Sequence, residues 1–148
     1  MARFKYQTSG DNFDFLKHLK ALKFTFDPNR NSQQFEIVHR VLEMNRHSLV
    51  KLHVSEDPTV LMIVNQIGLD KFTALKHVKI KNIRINTGEE VELFNAFSKE
   101  LKKLKSSTQI TIDQVNIGNH RVKAFFKVLA NLTLKRLTIR LTENLAPS

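Results

Sequence analysis

Leu49-Val50-Lys51-Leu52-His53-Val54 alternates polar and apolar side chains from Lys51 on, and 26 residues later Leu75-Lys76-His77-Val78-Lys79-Ile80 does the same from His77 on. Strict alternation marks a strand with one buried face, because successive side chains of an extended chain point to opposite sides. Working outward, the same form stands at Leu19-Lys20-Ala21-Leu22-Lys23-Phe24, at Ser107-Thr108-Gln109-Ile110-Thr111-Ile112 and at Leu134-Lys135-Arg136-Leu137-Thr138-Ile139. The starts are 30, 26, 32 and 27 residues apart, which is a repeat period rather than a coincidence of composition.

The intervening segments carry helical spacing. Phe35, Val38, Val41 and Leu42 follow Asn31 or Ser32 as cap, with Gln34 completing a capping box. Asp57-Pro58 reads as N-cap and first helical residue ahead of Leu61, Val64 and Ile67. Thr87-Gly88-Glu89-Glu90 is a second capping box, before Leu93, Phe94, Phe97, Leu101 and Leu104. Asn119 is the expected cap of a last helix whose apolar face is Val122, Phe125, Phe126, Leu129 and Leu132. One helix–strand unit cannot bury its own apolar face, whereas stacked units share a continuous core.

This pattern of L-x-x-L-x-L strands paired with full helices resembles the leucine-rich repeats of the ribonuclease-inhibitor-like and F-box-associated type. The resemblance covers residues 12–142 and implies an α/β fold, a short right-handed solenoid with about five parallel strands on the concave side and helices on the convex side. It implies one domain over residues 1–148: an N-terminal cap at 1–18, repeats at 19–142 and a tail at 143–148. The family continues its motif with Asn, and the matching positions here are Asp27, Asp57, Ile83, Val115 and Thr142. The resemblance also points to an adaptor in a larger assembly, although the chain has no L-P-x-E F-box helix.

Charge suggests what such an array would hold. Twenty-four Lys and Arg against fourteen Asp and Glu give a formal net charge of +10, which favours acidic partners. In this register the concave positions are Ala21, Lys23, Thr25; Lys51, His53, Ser55; His77, Lys79, Lys81; Gln109, Thr111, Asp113; and Arg136, Thr138, Arg140. Lys or Arg fills six of the fifteen and an acid only one, so the surplus is concentrated on this face. The expected partner-binding residues are Lys23, Lys51, His53, His77, Lys79, Lys81, Arg136 and Arg140. Their expected ligand is an acidic segment of a protein partner; the alternative is RNA or DNA held through its phosphate backbone. Base stacking from this face is excluded, since none of the fifteen is aromatic. A second basic cluster, Lys99, Lys102, Lys103 and Lys105, surrounds the end of the third helix, where cations complement the helix dipole.

Catalytic patterns are absent from the sequence. There is no Cys for nucleophilic, disulfide or zinc chemistry. His18, His39, His47, His53, His77 and His120 form no H-E-x-x-H and no ligand pair at metal spacing. Gly10, Gly68, Gly88 and Gly118 make no phosphate-cradling loop, and no G-x-S-x-G occurs. The expectation is a non-enzyme without cofactor or metal. The first residues lack the apolar run of a signal peptide, and the longest apolar stretch, Val60 to Val64, is too short to span a bilayer. Cytoplasmic or nuclear location, with no membrane association, is therefore expected.

Overall fold

The computed structural model describes residues 2–4, 17–24, 32–58, 60–132 and 136–141. Within them the elements are β1 (Ala2–Phe4), β2 (Ala21–Phe24), α1 (Ser32–Met44), β3 (Lys51–Ser55), α2 (Val60–Ile67), β4 (His77–Lys81), α3 (Gly88–Leu101), β5 (Gln109–Val115), α4 (Asn119–Ala130) and β6 (Arg136–Leu141). A short 3-10 turn, Leu69–Lys71, follows α2. The strands form one sheet in the order β1-β2-β3-β4-β5-β6, every neighbouring pair parallel. That is one strand more than the five expected. The addition, β1, lies in the segment read as an N-terminal cap, and its Ala2-Arg3-Phe4 has no L-x-x-L-x-L frame to announce it.

Alternation within the strands produces two unlike faces. Leu22, Leu52, Val54, Val78, Ile80, Ile110 and Ile112 are buried in the same core as Val38, Val41 and Leu42 of α1, Leu61 and Val64 of α2, Phe94, Phe97 and Leu101 of α3, and Phe125 and Leu129 of α4. The described helices thus pack on one side of the sheet, each against the next along the chain. Burying a side chain of this size stabilises the fold by about 1.5–3 kcal/mol. Phe97, fully buried at the middle of the helical layer, is the largest such contribution.

The helix starts follow local chemistry. Thr87 closes a full capping box: its Oγ1 accepts from the Glu90 amide at 3.1 Å, and Glu90 Oε1 accepts from the Thr87 amide at 3.0 Å. The described residues of α2 start at Val60, and the Leu61 amide donates to the Pro58 carbonyl at 2.9 Å, so Pro58 takes part in the turn that leads into the helix. At α4 the cap is Gly118, not Asn119: Gly118 has a φ of 81° and its amide donates to Asn116 Oδ1 at 3.0 Å, which places the turn one residue earlier. Asn31, read as one possible cap of α1, lies outside the described residues. Phe126, assigned from its spacing to the apolar face of α4, is instead 42% exposed, while Phe125 and Leu129 are buried and Val122 and Leu132 pack partly against the core.

The units repeat in finer detail than the leucines. Glu56, Asn82 and Gln114 each come directly after a residue of the register row Ser55, Lys81, Asp113, and all three have left-handed φ values, 71°, 56° and 55°. Glu56 and Asn82 stand just past the ends of β3 and β4, whereas Gln114 lies inside β5 at the shift of register between Asp113 and Val115. Amides at the strand starts also step along the array: Lys51 to the Lys20 carbonyl, His77 to Val50 and Gln109 to Lys76. At two of the positions where the resembled family carries Asn, Ile83 and Val115 are buried at 1% exposure.

Candidate binding face of the sheet

The polar positions of the strands project from the side opposite the helices, and strand pairing fixes their neighbours. One row runs Lys23, His53, Lys79, Thr111, Thr138. A second runs Ala21, Lys51, His77, Gln109, Arg136, and a third Ser55, Lys81, Asp113, Arg140. Neighbouring strands are about 4.8 Å apart and alternate residues of a strand about 6.6 Å apart. His53 therefore sits at the centre of a grid: Lys23 and Lys79 flank it across the sheet, Lys51 and Ser55 along its strand, and His77 and Lys81 on the diagonals. Thr25 and Thr142 lie outside the described residues.

His53 is the unusual member. It is 5% exposed although it is on the face without helices, and neither ring nitrogen has a hydrogen-bond partner among the described residues. Burial, and then the charges of Lys23, Lys79, Lys51 and Lys81, push its pKa down to about 4. At neutral pH it is an uncharged imidazole with one nitrogen able to donate and the other able to accept. His77 is also held below the usual histidine value, by burial first and then by Lys51 and Lys79. Its Nε2, however, lies 2.8 Å from Thr111 Oγ1, so it is already engaged.

Charge density falls away across the sheet. Asp113 on β5 is the one acid among the described positions of these rows, and its Oδ1 lies 3.6 Å from Arg140 Nε on β6. Arg140 is thereby partly neutralised, while Arg136 stands exposed at the far edge strand. The candidate residues divide into two groups: Lys23, Lys51, His53, His77, Lys79 and Lys81 come together over β2, β3 and β4, and Arg136 and Arg140 lie two strands away from β4.

Neither a family model, nor a curated protein, nor a solved structure matches this chain.

The second basic cluster resolves into separate tasks. Lys103 Nζ pairs with Glu100 at 2.9 Å, and Lys105 Nζ donates to the Thr73 carbonyl at 3.3 Å. Lys99 and Lys102 rim a cavity of about 430 Å³ between α3 and α4, floored by Phe94, Phe125 and Ile117. Among the described residues no three His, Asp or Glu side chains gather as a metal-binding set, and no helix is long and apolar enough to cross a membrane.

One structural residue escaped the sequence reading. Asn45, fully buried after α1, accepts from the Leu19 amide at 2.9 Å and donates to the Val41 carbonyl at 2.8 Å. Ser48 Oγ donates to the Leu19 carbonyl at 2.9 Å. Together they tie the turn before β3 to the turn before β2. A polar residue just before a strand motif was the only signal.

Proposed function

We propose that the chain is a non-catalytic binding module: a short, divergent leucine-rich-repeat solenoid whose lysine-bearing sheet face holds an acidic segment of a partner protein within a larger complex. The solenoid reading is supported by strands that pair in sequence order, a helix before each of β3 to β6, and left-handed residues recurring at one register position. The observation that carries the binding reading is the grid over β2, β3 and β4, which sets four lysines around one point with no acid among its described members. Like charges at strand spacing repel unless solvated or matched, and an extended acidic segment supplies carboxylates at a comparable repeat. Such complementarity speeds encounter and selects against basic partners.

The test is retention of partners from native extract, with and without nuclease, by wild type and by the Lys51→Glu/Lys79→Glu/Lys81→Glu variant. Retention of a protein that survives nuclease, weakens with salt and is lost in the variant supports the reading. Retention abolished by nuclease transfers the face to RNA or DNA, where phosphate contacts dominate and affinity falls steeply with salt. Binding equal in wild type and variant overturns the assignment of the site.

A further inference from the structure

Resting on the reading of this face as an anion-binding surface, we propose that His53 is the floor of a socket for a single oxyanion group, carboxylate or phosphoryl, and that the group binds with uptake of a proton by the imidazole. Two independent observations meet there. Lys23, Lys51, Lys79 and Lys81 surround the position in strand register, and His53 at their centre is buried with both ring nitrogens unpartnered among the described residues. A buried polar side chain without a partner costs roughly 1–3 kcal/mol, so the apo fold holds a donor that an incoming group can satisfy.

The charges facing His53 fix the sign of the linkage. Lys23 comes from β2, Lys51 from its own strand, and His77, Lys79 and Lys81 from β4; the first acid on the face, Asp113 on β5, lies beyond Lys81 and beside Arg140. With the lysines unmatched, a further positive charge on His53 is opposed. An oxyanion between them removes that opposition, accepts a hydrogen bond from the ring and favours imidazolium. Affinity for a group that stays ionised, such as a carboxylate above its own pKa, therefore rises as pH falls from 8 toward 5. His77 cannot substitute, because its Nε2 faces Thr111.

The experiment is a nitrogen-15 NMR titration of the His53 ring in the full chain, in chloride alone and with inorganic phosphate or acetate at matched ionic strength. The expected result is saturable movement of the His53 signals, with its pKa rising by roughly 1–3, while His39 on α1 is unaffected. The stronger of the two additives identifies the group as phosphoryl or carboxylate. An unchanged His53 titration with both additives overturns the socket. Poly-glutamate binding to wild type and to His53→Gln separates this outcome from failure of the face. Equal binding to both, with a static His53, removes the socket and keeps the face, and no binding to wild type removes the acidic-segment reading itself. In the supporting case poly-glutamate binds wild type about tenfold more tightly at pH 5.5 than at pH 7.5, and His53→Gln loses that dependence.

Discussion

Replacing His53 by Gln keeps a polar side chain in the grid but removes its titration. Folded His53 has a pKa of about 4 against the usual 6.5, so between those values the unfolded chain binds the proton more readily than the folded one. Stability is then fully present above pH 6.5 and is lost as pH falls toward 4. We expect wild type to lose on the order of 2 kcal/mol over that window through this residue, and His53→Gln to flatten that part of the curve, as read by urea denaturation at stepped pH. The remaining slope includes His77, whose shift has the same sign. Asn45 makes the opposite case, a buried polar residue with its partners in place. Asn45→Leu strands the Leu19 amide and should cost about 2–3 kcal/mol, and the loss should show as a lower denaturation midpoint. Neither behaviour is written in the residue's own identity. A His between alternating aliphatics could equally face water, and its burial is made by side chains that arrive from other strands.

At the scale of the element, β3, β4 and β5 each have one left-handed residue directly after the row Ser55, Lys81, Asp113. Glu, Asn and Gln pay a steric penalty there that Gly avoids, and a β-branched residue pays most. Gln114, exposed at the irregularity between Asp113 and Val115 of β5, is the cleanest site. Gln114→Gly should be neutral or stabilise slightly, and Gln114→Val should destabilise by about 1–2 kcal/mol, an ordering that thermal melts can check. If both variants match wild type, Gln114 does not hold a left-handed conformation. The strand cores were legible in the sequence because a period of two assigns every residue to a face. The capping box at Thr87 was legible because its two partners are three residues apart. The left-handed residues were not: none of the three is the glycine that advertises such a turn. The start of α4 was misread for a related reason, since the Asn116 side chain, two residues before Gly118, sets the turn.

Across the whole molecule, lysines gathered over β2, β3 and β4 repel one another where nothing matches their charge. Lys79 sits between His53 and Thr111 in its row, with Lys81 two residues along its own strand and Lys51 diagonal to it on β3. Lys79→Glu should raise stability at low salt by about 0.5–1 kcal/mol, with the gain shrinking as salt screens it. The same variant should weaken poly-glutamate binding. A loss of stability on that substitution would mean that the lysines are matched within the protein. The sequence alone determined that there are helix–strand units, where they repeat and which side chains share the polar face, because these follow from local periodicity and from the chain's own connectivity. Tertiary structure alone decided that a sixth strand, Ala2–Phe4, joins the sheet, that Arg140 turns to Asp113, and that His53 is sealed among four lysines. Those outcomes depend on which strands become neighbours and on how closely they lie, and so on distances between residues far apart in the chain.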